Sequence, residues 1–212
     1  MDAPYSLPPE PPLAVGRTAK VYAWGDQQVL KLFGADYSAA EIDREAEIGR
    51  VVAEANLGAP AVGGVITLGQ QRGILYDRVN GVSLLEALMR RPWQVGRLAH
   101  TFGRLHAAMH GVQRPQLPSQ RAGLLWAINH AGALTPAQRD ATADRLTHLD
   151  DGDAVCHGDY HPDNLILSAG GPVIIDWMTA GHGNPDADVA RTVLLLRLGE
   201  PVNRSAIERS VI

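Results

Sequence analysis

Two periods organise the apolar residues of this chain. From Leu13 to about Tyr76 they fall in short β-prone runs bounded by Gly, Asp and Gln: Val21–Trp24, Val29–Phe33, Val65–Leu68 and Ile74–Tyr76. Such runs predict strands. Between the second and third of them the pattern turns helical. Ser38 with Glu41 makes a capping-box start, and Gly58 with Pro60 a stop. The first lobe therefore reads as three strands, a helix and two strands. From Leu84 onward helix dominates. Leu98, Phe102, Leu105 and Met109 recur at 3.6-residue spacing and predict a helix buried on one side. Further helices are expected at about 121–131, 136–149, 186–198 and 202–210. Residues 1–12, with five prolines, read as an extended arm. The expectation is an α+β fold of two lobes: a small antiparallel sheet with one helix over 13–76, a hinge at 77–81 and a mainly helical lobe over 82–212.

One stretch interrupts the helices and carries the candidate chemistry. Val155-Cys156-His157-Gly158-Asp159-Tyr160-His161-Pro162-Asp163-Asn164-Leu165-Ile166-Leu167 leads an apolar strand into a polar loop. A Gly170-Gly171 turn and a second apolar strand, Val173-Ile174-Ile175, then end in Asp176. Asp, Asn, Gly and Pro also build ordinary surface turns. Here apolar strands bracket them, so Asp159, Asn164 and Asp176 emerge from one hairpin. That layout suits phosphoryl transfer: a carboxylate to orient an attacking hydroxyl, plus an amide and a second carboxylate to hold magnesium on a nucleoside triphosphate.

The same run resembles the catalytic core of the aminoglycoside phosphotransferase family, within the protein-kinase-like superfamily. His157-Gly158-Asp159 stands where protein kinases carry His-Arg-Asp, and Ile175-Asp176-Trp177 where they carry Asp-Phe-Gly. The resemblance spans roughly 13–199. It implies a bilobal kinase-like fold and ATP-dependent, magnesium-dependent transfer of the γ-phosphate to a hydroxyl of a small molecule: an aminoglycoside, an amino alcohol or a sugar-like acceptor. It implies Asp159 as catalytic base, Asn164 and Asp176 as magnesium ligands, His157 as a structural residue of the loop and Asp188 as the aspartate that ties the loop to a helix, with Asp186 as the alternative at the helix start. It places the phosphate-covering loop at Gly16, Arg17 and Thr18. It also places adenine against the Asp77 carbonyl and the Val79 amide, with Gly81 letting the chain turn onward. Two departures bear on the acceptor. The helical segment between Pro118 and Asp150 is short. The chain also stops at Ile212, before the carboxy-terminal helices of many members, so the pocket is expected to be open, small or completed by another chain. Beyond Asp188 only Glu200 and Glu208 are acidic, too few to argue for a polycationic antibiotic.

Lys31 is one of only two lysines and lies within an apolar strand. A buried ammonium is costly unless paired. Either it faces solvent on an edge strand, or it holds the nucleotide α- and β-phosphates and is held by a helix glutamate. Helical spacing selects the glutamate. Glu45 has Ile42, Ile48 and Val52 at i−3, i+3 and i+7, so it lies in the inward stripe, whereas Glu47 sits among Asp43, Arg44 and Arg50.

Composition narrows the classes. A net charge of −4 offers no basic footprint for nucleic acid. The single cysteine, Cys156, fits a reducing compartment, and the start Met1-Asp2-Ala3-Pro4 lacks signal-peptide layout. No apolar run approaches the ~20 residues of a membrane span. A cytoplasmic protein is expected. Two other readings stay open: a metal-dependent hydrolase built on His157, Asp159 and His161 with Asp163 and His182, and a nucleotide-binding module without catalysis. His161 is expected to pack in the loop rather than face the acceptor. His100, His106, His110, His130 and His148 are expected as surface or satisfied-core residues.

Overall fold

A computed structural model describes residues 8, 10–16 and 18–198. Arg17, the helix expected at 202–210, Glu200 and Glu208, and most of the Pro-rich arm lie outside the described residues. The amino-terminal part holds a five-stranded antiparallel sheet of β1 (Ala14–Val15), β2 (Ala19–Trp24), β3 (Gln28–Phe33), β4 (Val62–Leu68) and β5 (Gln71–Asp77), ordered β1-β2-β3-β5-β4. β3 is the central strand, so Lys31 is not on an edge.

Strand alternation divides β3 between two faces. Leu30 and Leu32 join Ile66 and Leu68 on one face. Phe33, two residues from Lys31, joins Ala19 and Ile74 on the other, against Ile42 and Ala46 of α1 (Ala39–Glu54). Lys31 thus points at the helix. The α1 start is the expected capping box: Ser38 Oγ accepts from the Glu41 amide and the Glu41 carboxylate accepts from the Ser38 amide. The helix ends at Glu54, earlier than the Gly58 stop suggested, and both Asn56 and Gly58 have positive φ in the exit turn.

The second part contains α2 (Leu84–Arg90), α3 (Val95–His110), α4 (Gln120–His130), α5 (Pro136–Thr147) and α6 (Pro185–Leu198). α3 buries Leu98 and Met109 as its spacing predicts, and His106 besides. Ile48 and Val52, from the last turns of α1, enter the core formed by Leu98, Met109, Val155, Tyr160, Leu165, Ile174 and Trp177. α1 therefore packs on the sheet with its first half and on the helical part with its second.

Two small ladders were not foreseen. β6 (Gly81–Ser83) adds to the hairpin of β8 (Leu165–Ser168) and β9 (Gly171–Ile174) in the order β6-β8-β9, and β7 (Ala154–Cys156) pairs with β10 (Gly181–Gly183). Gly81 thus serves a purpose other than the expected turn. It opens β6, and a Cβ there would lie 2.5 Å from the Leu167 carbonyl oxygen, so only glycine fits the strand contact.

Candidate active site

The loop between β7 and β8 is held open by contacts that its residue types dictate. Gly158 takes φ +75°, and a Cβ there would sit 2.6 Å from the Thr179 carbonyl oxygen. Tyr160, fully buried, stacks between Phe102 and His106 and donates its hydroxyl to the Phe102 carbonyl at 2.9 Å, fastening the loop to α3. His157 is buried without solvent contact. Its Nδ1 accepts from the Asp159 amide (3.2 Å), so Nε2 carries the proton and donates to the Ile175 carbonyl (3.1 Å). Burial holds its pKa below the ordinary imidazole value despite that bond and the nearby carboxylates. One neutral ring thereby spans Asp159 on the loop and the residue before Asp176.

Asp159 and Asn164 are joined through the backbone. Asn164 Nδ2 donates to the Asp159 carbonyl at 3.0 Å, which orients its Oδ1 as the free ligand atom. The Ile175 amide donates to the Asn164 carbonyl (2.9 Å), closing the hairpin that presents Asn164 before β8 and Asp176 after β9. Asp176 adopts a left-handed conformation, φ 62°, rare for a non-glycine residue and frequent where backbone strain serves a site. His161 Nε2 lies 3.6 Å from Asp159 Oδ2, a contact longer than a hydrogen bond. The His161 ring faces the carboxylate as well as packing in the loop, and it is the first cause that holds the Asp159 carboxyl below its ordinary value, against the opposing effect of burial.

Lys31 joins the two halves of the fold. Its Nζ lies 2.7 Å from Glu45 Oε1 and 2.7 Å from Asp176 Oδ1. Burial alone would lower the lysine pKa, but the two carboxylates outweigh it and raise it, so the ammonium stays charged. Glu45 is buried, and Tyr76 Oη, a partner the sequence did not disclose, donates to its Oε1 at 3.2 Å. Glu47 is exposed and bonds Arg50, as its helical face requires.

Asp188, on α6, anchors the loop from behind. Its carboxylate, fully buried, accepts from the His157 amide (3.1 Å), the Gly158 amide (2.8 Å), His106 Nε2 (2.9 Å) and His110 Nε2 (3.0 Å). Burial would push its pKa up; the four donors together hold it far below the carboxylate range. Asn184, not the expected Asp186, starts α6: its Oδ1 accepts from the Asp186 amide at 2.8 Å, ahead of Pro185.

At the nucleotide end, the Gly16 amide donates to the Ala19 carbonyl (2.9 Å) where β1 gives way to β2, and the Gly34 amide donates to the Thr18 carbonyl (3.3 Å), extending the β2–β3 pairing. Asp77 ends β5 with its amide on the Ala61 carbonyl (2.9 Å), and Val79 follows between β5 and β6.

The hydrolase cluster does not assemble around His157, because both its ring nitrogens are committed to backbone groups. Among the described residues a different group, His106, His110 and Asp188, brings three possible ligand atoms within 4.8 Å. Its hydrogen bonds already satisfy that group from within.

Residues 11–209 match the phosphotransferase enzyme family, designated APH. The chain belongs to this family. Solved structures sharing its fold include an aminoglycoside-3'-phosphotransferase of type VIII, 21% identical with a TM-score of 0.60, over 93% of this chain and 82% of that one. Aminoglycoside phosphotransferase APH(3'')-Id from Streptomyces rimosus is 17% identical, with a TM-score of 0.55, over 91% and 87%. A ternary complex of streptomycin, ATP and APH(2")-IIa is 16% identical, with a TM-score of 0.52, over 84% and 68%. Among curated proteins no sequence match is significant. These neighbours share the α+β, bilobal kinase-like architecture of the phosphotransferase family. No described helix is long and apolar enough to cross a membrane.

Proposed function

We propose that the protein transfers the γ-phosphate of ATP to a hydroxyl of a small molecule, an aminoglycoside, amino alcohol or sugar-like compound. The observation that supports this best is the double ion pair of Lys31 with Glu45 and Asp176, which sets a charged lysine from the sheet against the hairpin bearing Asp159, Asn164 and Asp176. Among the neighbours, one structure is a streptomycin–ATP ternary complex and another a complex with ADP and streptomycin. In this reading Lys31 grips the α- and β-phosphates, the turn at Gly16 and Thr18 covers them with Arg17, and the Asp77 carbonyl and Val79 amide hold adenine. Asp159 orients the acceptor hydroxyl. The acceptor oxygen bonds the γ-phosphorus, the bond from that phosphorus to the β,γ-bridging oxygen breaks, ADP leaves and Asp159 takes the hydroxyl proton. His157 fixes the loop, and Asp188 holds it to α3 and α6.

The donor chemistry fits magnesium. Asn164 Oδ1 and the second oxygen of Asp176 are hard oxygen ligands left over after the bonds to Asp159 and Lys31. Bound there, magnesium would offset charge on the nucleotide phosphates. Millimolar MgATP is expected to raise the melting temperature, with about 2.7 kcal/mol of stabilisation at 100 times the dissociation constant. Asp176→Ala should remove the magnesium-dependent part of that shift. An intact preparation with no shift would sink the kinase reading.

The Lys31–Glu45 pair makes a second test. Each of Lys31→Ala and Glu45→Ala should depress turnover, and the double variant should be no worse than the more severe single one, because both remove one phosphate anchor. Glu47→Ala should change stability by no more than about 0.5 kcal/mol. Kinetics in which Glu47→Ala is the crippling change would overturn the assignment of the helix face.

A further inference from the structure

Arg191 is the one charged side chain that α6 sends to the catalytic loop without a part in the transfer described above. Its Nε donates to the Gly158 carbonyl, so the guanidinium sits against the residue that precedes Asp159. Its Nη groups have no hydrogen-bond partner among the described residues. Arg191 is exposed, as are Leu194 and Leu198 at i+3 and i+7 on the same helix face. On the other side of Asp159 stands the His161 ring, 3.6 Å from the carboxylate. Asp159 itself is held low by the His161 ring first and also by the Arg191 guanidinium, while other carboxylates of this region have partners of their own. Asp176 is paired with Lys31 and Asp188 is buried among four donors. Asp186 lies in the first turn of α6, where the positive end of the helix offsets its charge. From Val189 to Leu198, α6 carries Arg191 and Arg197 and no acid.

We infer that the acceptor is a hydroxyl compound bearing a carboxylate or phosphate, read by the terminal N–H groups of Arg191, and not a polycation. The inference rests on the phosphotransferase reading and, among the acceptors proposed there, excludes the aminoglycosides and cationic amino alcohols. A guanidinium presents a planar fork that matches carboxylate and phosphate oxygens, and with its Nε already fixed on the Gly158 carbonyl the remaining donors are preoriented. A multiply protonated amine would meet Arg191 as a like charge beside the base, which discriminates by repulsion as much as the anion does by attraction. The apolar Leu194 and Leu198 beyond it suit the carbon skeleton of a compact acid better than a second ammonium.

The experiment is a MgATP turnover assay on the full chain at matched ionic strength. The acceptors are hydroxy carboxylates, sugar phosphates, neutral sugars, amino alcohols and an aminoglycoside, with calorimetric binding of each set to the nucleotide-loaded protein. Turnover and binding should concentrate in the anionic sets, and the carboxylate and phosphate arms distinguish the two anions. Arg191→Gln should raise the acceptor KM at least tenfold, with a smaller change in kcat and an unchanged ATP KM. A structural role alone would instead move ATP KM and melting temperature together. A preference for amines, the lack of any anionic preference in turnover or binding, or an unaltered acceptor KM in Arg191→Gln would overturn the inference. Efficient turnover of amines alone would do so while leaving the kinase reading intact; failure to bind MgATP would defeat that reading first.

Discussion

Asp159→Asn is expected to reduce phosphoryl transfer by about 10²–10⁴-fold, the range for a positioned acid–base group, while MgATP still raises the melting temperature as in the parent chain. The asymmetry follows from placement. The Asp159 side chain contacts His161 rather than the Lys31 cluster, and its link to Asn164 runs through its backbone carbonyl, which the substitution keeps. Its carboxyl is held low, with His161 the first cause, so it is ionised and ready to accept a proton throughout the neutral range. An amide of the same shape cannot accept that proton. Initial-rate assays on a turned-over acceptor, beside a thermal shift with MgATP, separate the two effects. Near-parental turnover would remove Asp159 from the role, and a lost nucleotide shift would mean that it supports the phosphate site instead.

Asp188→Ala should produce the largest loss of stability. It deletes a fully buried carboxylate and strands two backbone amides and two imidazole N–H groups together. Breaking one side of a buried charged network costs about 3–5 kcal/mol. For a chain of this size that is a fall of about 6–20 °C in melting temperature. Calorimetry or thermal denaturation gives the answer, and a fall under about 2 °C would show that the network is not the clamp its geometry suggests. The loop amides of His157 and Gly158 lose their anchor as well, so turnover should fall with stability.

The same groups set the expected response to acid. The folded pKa of Asp188 is depressed, so its contribution is complete above the unfolded carboxyl value of about 3.9 and is lost as pH falls toward the folded value. His157 is depressed by burial, so below about 6.5 the unfolded chain binds a proton that the folded chain refuses. In both cases the unfolded state binds more protons, and stability rises with pH. Denaturation midpoints should therefore decline from about pH 6.5 downward. A protein more stable at pH 5 than at pH 7 would contradict this.

The sequence by itself determined what local period and local spacing encode. Alternation and turn residues mark the strands from Val21 to Tyr76, and the capping box marks the start of α1. The 3.6-residue stripe of Ile42, Ile48 and Val52 put Glu45 inward and Glu47 outward, as found. The hairpin after Asp159 was legible because its loop, turn and strands are contiguous. Tertiary structure decided the contacts between distant segments. Lys31 and Asp176 are 145 residues apart and meet only when the sheet docks on the hairpin. His106 and His110 reach Asp188 across 82 and 78 residues. Their i, i+4 spacing beside Phe102 was a signal that they share a face, but not of what they face. Tyr76 on Glu45, His161 on Asp159 and Arg191 on the Gly158 carbonyl are likewise pairings of side chains whose own neighbourhoods look ordinary. The physical reason is that a periodic pattern reports which side of an element is buried, whereas the partner of a buried charge is chosen by how the elements pack and by the cost of leaving that charge unpaired.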